Sequence, residues 1–106
     1  MDAKKRKQLE RAGFAVGTAA EFLALTPEEA ALVEMRLALS RTLRERRTEA
    51  GLTQAALARQ TGSSQSRVAK MEAGDPSVSL DLLIRALLTV GASRREVGRA
   101  LARRVA

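Results

Sequence analysis

The chain contains no cysteine and no histidine among its 106 residues. The absence of cysteine excludes disulfides, thiolate metal sites and cysteine nucleophiles. The absence of histidine excludes imidazole acid–base chemistry. There is also no glycine-rich phosphate loop and no carboxylate pair in a recognisable catalytic motif. These absences favour a binding protein over an enzyme, and we expect neither a metal nor a cofactor.

Aromatic residues are almost absent as well, since Phe14 and Phe22 are the only two. The core must therefore consist of Leu, Ala, Val and Met, which suits close-packed helices. The many Ala, Leu and Arg residues favour helix, and no alternating β-branched run indicates a sheet. The composition predicts an all-α fold. It also lacks the aromatic stacking platform that is common in readers of single-stranded RNA.

No hydrophobic run approaches the ~18 residues that a membrane-spanning helix needs. The N-terminus is basic, but no apolar segment follows it, so we expect no secretory signal peptide and a cytoplasmic protein with no membrane contact. The length of 106 residues fits a single domain with a modest core. A homodimer would add to the stability of a domain of this size.

The formal net charge is +7, which suits a polyanionic partner. The charge is unevenly distributed: residues 1–11 carry +3, residues 36–74 carry +5 and residues 93–106 carry +4, whereas residues 12–35 carry −4 and residues 75–92 carry −1. The basic regions are thus the middle and both ends.

We expect the first 36 residues to form an N-terminal extension of the main domain. Its basic tail, residues 4–7, is either a solvated helix end or an arm for DNA phosphates. A turn at residues 13–17 and a short helix at residues 18–25 are predicted next. Phe14, Phe22 and Leu25 either fill the core or form a second binding surface.

A capping box at residues 26–29, with proline at the first helical position, begins a helix that runs to about Ala50. One long helix is predicted, although a break near residues 39–40 stays open. Its apolar stripe follows spacings of three and four and comprises Leu32, Met35, Leu39 and Leu43.

Residues 52–74 predict two short helices joined by a tight turn. Thr53 and Ser64 are suitable N-caps, and Gly62 suits the positive φ that ends the first helix. One face of this pair is apolar, and it comprises Leu57, Ala58, Val68 and Met71. The exposed face of the second helix is polar and can bind base edges or phosphates; it comprises Gln65, Ser66, Arg67 and Lys70.

Two further helices are predicted after a loop at residues 75–78. Ser79 caps the first, Gly91 ends it, and its core stripe comprises Leu80, Leu83, Ile84, Leu87 and Leu88. A second capping box at residues 93–96 begins the last helix, whose apolar stripe comprises Val97, Ala100, Leu101 and Val105 and whose remaining faces carry arginines. This helix is either a docked surface helix or a dimer contact.

The central segment resembles the helix-turn-helix of the Xre/Cro/C1-type bacterial and phage repressors. The matching residues run from about Leu37 to Gly91 and are Arg47, Gly51-Leu52-Thr53-Gln54, Leu57-Ala58, Gly62, Val68 and Glu72-Ala73-Gly74. The resemblance implies a five- to six-helix repressor-like domain with an N-terminal helical extension. We expect the extension at 1–36, the helix-turn-helix domain at 37–91 and a basic amphipathic helix at 92–106.

The resemblance also implies roles for individual residues. Gln65, Ser66 and Arg67 would read bases in the major groove, and Lys70 would reach a base or a phosphate. Gln54 and Ser64 would contact phosphates. Arg47 and Glu72 would form a structural ion pair. Asp75 departs from the family, which often has basic residues in this loop, and this weakens the case for a phosphate clamp there.

Two functions follow as hypotheses. The first is a sequence-specific repressor that binds double-stranded DNA as a homodimer at an inverted repeat. The alternative is an antitoxin that binds a toxin protein and represses its own operon, because small proteins of this family often do so. A toxin-like gene next to this one would favour the antitoxin.

Overall fold

A computed structural model describes residues 25–103 and contains only α-helices in that range, which confirms the predicted all-α class. The predictions for the basic tail, the turn and the short helix lie outside it, as does Val105. The described helices are α1 (Pro27–Glu49), α2 (Gln54–Thr61), α3 (Gln65–Glu72), α4 (Leu80–Thr89) and α5 (Arg94–Ala102).

Helix α1 is one uninterrupted helix of 23 residues, so there is no break near residues 39–40. The capping box at its start is formed: the hydroxyl of Thr26 accepts from the backbone N–H of Glu29, and the Glu29 carboxylate accepts from the backbone N–H of Thr26. Pro27 fits the first turn because its missing N–H has no intrahelical partner there.

The remaining helices all begin at a hydroxyl side chain. Thr53, Ser64 and Ser79 each accept a hydrogen bond from a backbone N–H in the first turn. Ser93 forms the second predicted capping box with Glu96. Gly62 ends α2 in the left-handed region at φ 67°, a conformation that costs glycine little. These predicted caps are confirmed.

The core lies between α1 and the other four helices. Helix α1 packs on α3, α4 and α5, while α2 packs on α3 and α4. The side chains that are fully enclosed are Leu39, Leu43, Leu57, Val68, Met71, Val78, Leu83 and Leu87. Most of the predicted stripe residues are therefore buried, and Val97 and Ala100 bring α5 into the same cluster.

Two predicted core residues are exposed, Leu32 by 50% and Leu88 by 48%, while Met35, Leu80, Ile84 and Leu101 are partly buried. Leu32 lies one turn before Arg36, whose guanidinium donates to the carbonyl of Val78 in the α3–α4 loop. Helical spacing identifies which face of α1 is apolar, but it does not show how far along that face the neighbouring helices extend. The apolar stripe predicted for α4, which includes Leu88, is wider than the face of α4 that is buried.

The last helix is part of the packed body, since α5 contacts α1 extensively. The division of the chain at residue 91 stays a prediction. Within the described residues, no helix combines the length and the apolar character needed to cross a membrane.

Candidate nucleic-acid interface

Helix α3 has one enclosed face and one open face. Val68 and Met71 are completely buried. The four predicted base-reading residues are all exposed, and they are Gln65, Ser66, Arg67 and Lys70. At 100° per residue, Ser66 lies opposite the buried pair, with Gln65 to one side of it and Arg67 to the other. The helix therefore presents polar side chains over a broad arc.

The open face of α3 continues into a cleft beside the α3–α4 loop. The cleft has a volume of about 350 Å³ and is lined by Ser64, Ser66, Arg67, Lys70, Ser77 and Val78. Its lining combines two cationic side chains with three hydroxyls. Such a lining suits an anionic oxygen because the cations attract it and the hydroxyls and the cations both donate hydrogen bonds.

Ser64 lies at the start of α3, where its Oγ accepts from the backbone N–H of Arg67 at 3.1 Å. Its side chain is exposed. The first backbone N–H groups of a helix point outward without intrahelical partners and carry partial positive charge. The predicted phosphate contact is therefore placed where an anion is favoured.

Helix α3 is held to α1 by the pair that the resemblance implied. Arg47 Nε lies 2.5 Å from Glu72 Oε2, and Arg47 Nη2 donates to Oε1 at 3.0 Å. The third contact of the guanidinium is the Leu52 carbonyl at 2.8 Å. The side chains are only 13% and 5% exposed. This arrangement fixes the end of α3 to α1 and to the start of the α2–α3 unit.

Hydrogen bonds to Glu72 raise the pKa of Arg47 above its ordinary value. Desolvation lowers this pKa, but the negative charge of Glu72 also raises it, so the net shift is upward. Arg47 therefore stays fully charged. A buried charge without a partner costs several kcal/mol, so each member of this pair depends on the other.

Gln54 occupies an unexpected position for a phosphate ligand. Its Nε2 donates to Glu72 Oε1 at 3.2 Å, and the side chain is half-buried. The structure thus brings Gln54, Arg47 and Glu72 into one cluster. Sequence reasoning missed this contact because the two residues are 18 positions apart and lie on different helices.

A second tether joins α1 to α5. Arg46 pairs with Glu96 and also donates to the Gly91 carbonyl at 3.2 Å. Desolvation opposes ionisation of Glu96, but the hydrogen bonds from Arg46 and the Ser93 backbone and the charges of Arg46 and Arg99 outweigh it. The pKa of Glu96 is therefore held below its ordinary value. No sequence motif indicated this pair.

Burial lowers the pKa of Arg36, although the charge of Asp75 opposes the effect. Arg36 thus connects α1 to the loop after α3, the same loop that lines the cleft.

The described residues contain no group of three or more acidic side chains arranged to hold a metal ion.

Comparison with known proteins gives one match. A family model described as a helix-turn-helix domain covers residues 38–104, which is more than half of the chain and includes α5. Neither the curated proteins nor the solved structures contain a significant match. The chain therefore belongs to the helix-turn-helix domain family, and this membership supports DNA binding.

Proposed function

We propose that this chain is a cytoplasmic, sequence-specific transcriptional repressor of the Xre/Cro/C1 type that binds double-stranded DNA. One observation carries the proposal. Val68 and Met71 hold one face of α3 in the core. The opposite face exposes four polar side chains, those of Gln65, Ser66, Arg67 and Lys70. A rigid helix with a polar outer face is what the major groove admits.

Base reading is assigned to Gln65, Ser66 and Arg67. The Arg67 guanidinium can donate two hydrogen bonds to guanine O6 and N7, and the Gln65 amide can pair with adenine N6 and N7. Each good bidentate contact contributes about 1–3 kcal/mol of discrimination between bases. The half-site is therefore expected to contain both G and A.

Phosphate binding is assigned to Ser64 and Gln54, with Lys70 reaching either a base or a phosphate. Ser64 contributes through its position at the start of α3. One amide N–H of Gln54 donates to Glu72. The second N–H of the same amide is then available to donate to a phosphate oxygen. In this arrangement, the same side chain connects the α1–α3 tether to the DNA backbone.

A single α3 reads only a few base pairs, so we propose that two copies bind an inverted repeat. Half-sites about one helical turn apart would place both recognition helices on one side of the duplex. Binding across a promoter would then block transcription.

The test is selection of bound fragments from the source genome with the wild-type protein and with Arg67→Ala. Arg85→Ala is the matched control, since it removes the same charge from α4, where the side chain is 71% exposed. We expect the wild type and Arg85→Ala to enrich one inverted repeat. Arg67→Ala should lose the preference at one base position by about tenfold or more.

Flat enrichment by the wild type, with binding that disappears as salt is raised, would contradict the proposal. That result would mean that only phosphate attraction operates. Equal enrichment by Arg67→Ala would instead remove Arg67 from the base-reading set.

A second candidate is an antitoxin. The acidic segment 12–35, with a net charge of −4, lies outside the family match and complements a small basic partner. Co-purification with the product of an adjacent toxin-like gene, weakened by Glu21→Lys and Glu28→Lys, would support this candidate. A bound repeat upstream of unrelated genes would favour the repressor.

A further inference from the structure

The loop between α3 and α4, residues 73–79, is shaped by hydrogen bonds of its own. The Asp75 carboxylate accepts from the backbone N–H of Ser77 at 2.8 Å, and the Asp75 carbonyl accepts from the N–H of Val78 at 3.1 Å. The Ser77 side chain is exposed, whereas Val78 is 1% exposed. These two hydrogen bonds make the turn compact, but they do not fix it relative to the helices.

Arg36 joins this loop to α1. Its guanidinium donates to the Val78 carbonyl across 42 positions of sequence. Arg36 is half-buried, and a charge-assisted hydrogen bond is stronger where water is partly excluded. The buried Val78 side chain fixes how far the loop lies from the core. The hydrogen bond to its carbonyl fixes how the backbone is rotated about that anchor.

The contact made by Arg36 lies outside the region that the family model matches, which begins at residue 38. Arg36 is on the part of α1 that starts at the Thr26 capping box. The helix-turn-helix pattern therefore does not account for this contact. Through it, the N-terminal part of α1 is connected to the candidate nucleic-acid interface.

The position of the loop decides how the cleft beside α3 is built. Ser77 supplies one of the hydroxyls of the cleft, and Arg67 and Lys70 supply its two cations. Ser77 is on the loop, whereas both cations are on α3. The hydroxyl and the cations therefore face one ligand only if the loop is held in place. A phosphate oxygen can accept hydrogen bonds from a hydroxyl and a cation together.

We infer that Ser77 is a further phosphate ligand and that Arg36 is the residue that positions it. Arg36 itself touches no DNA in this arrangement, because it holds the Val78 carbonyl and thereby the neighbouring Ser77. One phosphate of the DNA backbone binds the Ser77 hydroxyl together with the Lys70 ammonium. The inference rests on the proposed DNA binding and gives the N-terminal part of α1 a share in it.

The experiment measures binding of the full chain to a short mixed-sequence DNA duplex by fluorescence anisotropy at several salt concentrations. A mixed sequence suffices because phosphate contacts do not depend on the bases. The variants are Arg36→Met, Arg36→Lys, Ser77→Ala and the double variant Arg36→Met/Ser77→Ala. Arg85→Met is the matched control, because it removes the same charge from a side chain on α4 that is 71% exposed. Circular dichroism and thermal unfolding verify that each variant is folded at the temperature of the measurement.

We expect Arg36→Met and Ser77→Ala each to weaken binding about threefold to tenfold, which is the effect of one lost hydrogen bond. The double variant should lose no more than either single variant, because Arg36 acts through Ser77. Arg36→Lys should retain most of the affinity, since its ammonium can still donate to the Val78 carbonyl. The dependence of binding on salt should keep its slope in Arg36→Met, as in Arg85→Met, because no cation leaves a phosphate.

Additive losses in the double variant would overturn the inference, because the two residues would then act independently. A shallower salt dependence of Arg36→Met would also overturn it, since Arg36 would then contact a phosphate directly. Binding by Arg36→Met that equals binding by Arg85→Met would overturn it as well. In these three cases the wild type binds DNA, so the proposed DNA binding stands. A wild type that binds no duplex at any salt concentration would overturn both.

Discussion

Arg46 and Arg47 are neighbours on α1, yet they hold two different parts of the molecule. Arg47 reaches Glu72 on α3, where the side chains are 13% and 5% exposed. Arg46 reaches Glu96 on α5, where they are 29% and 27% exposed. Adjacent residues on a helix point about 100° apart, so one short segment of α1 binds both α3 and α5.

The two sides of α1 also differ in how tightly they pack. On the α3 side, a Cβ added to Gly74 would lie 2.9 Å from Leu37 Cδ2. On the α5 side, a cleft of about 250 Å³ is lined by residues of α1 and α5, including Thr42, Glu45 and Arg99. The same kind of ion pair is therefore part of a nearly buried contact in one place and of a more exposed contact in the other. We therefore expect the Arg47–Glu72 pair to contribute more to the free energy of unfolding than the Arg46–Glu96 pair.

The largest effect is expected from Glu72→Ala. Arg47 would keep its charge in a nearly buried site without a counterion, which costs about 3–5 kcal/mol when one partner of a buried pair is removed. Thermal unfolding should show a loosened or unfolded domain, and DNA affinity should fall with it. Glu72→Gln, which keeps the hydrogen-bond acceptor, should lose less. An unchanged melting temperature and unchanged DNA affinity in Glu72→Ala would refute the role of the pair.

The next effect is expected from Gly74→Ala. Gly74 has a φ of +70°, and the added methyl group would also press on Leu37. Left-handed strain should cost about 1–2 kcal/mol, and the contact adds little because Leu37 Cδ2 is the end of a side chain that can move. Gly98→Ala is the matched substitution on the α5 side, where a Cβ meets nothing within 4 Å. It should stabilise the fold by up to about 1 kcal/mol through helix propensity. If Gly74→Ala and Gly98→Ala lowered the free energy of unfolding equally, the α3 and α5 sides of α1 would not differ in packing.

The smallest effect is expected from Glu96→Gln, and it should depend on pH. The folded-state pKa of Glu96 is below its ordinary value of 4.5. The ionised carboxylate therefore stabilises the fold above about pH 4.5, and this contribution is lost as pH falls through the lower folded pKa. The difference in melting temperature between wild type and variant should be largest near neutral pH and should narrow in acid. A constant difference from pH 7 to pH 3 would exclude a role for the charge.

Local signals in the sequence predicted the helices well. A hydroxyl residue followed by a glutamate at the third helical position identified the starts of α1 and α5, and these caps depend only on neighbouring residues. Gly62 identified the turn before α3 for the same reason. The exposed face of α3 also follows from spacing, since Val68 and Met71 can face the core together only if Ser66 faces outward.

Contacts between distant segments could not be predicted in this way. Nothing near Arg46 in the sequence indicates Glu96, which is 50 positions away. Gln54 and Glu72 meet only because α2 and α3 pack against each other. The predicted burial of Leu32 and Leu88 is wrong, because helical spacing identifies an apolar face but not how much of that face the neighbouring helices cover. The pairing of Arg47 with Glu72 came from the family resemblance and not from the residues themselves.

The central position of α1 has a consequence for the order in which the chain becomes folded during synthesis. Among the described helices, α1 is made first, and α5, which covers part of its apolar surface, is made last. Helices α2 and α3 can pack on each other as soon as they leave the ribosome, but the part of α1 that α5 contacts has no partner until residues 94–102 emerge. That part of α1 is thus the last to be covered, and chaperones that bind nascent apolar segments would meet it there.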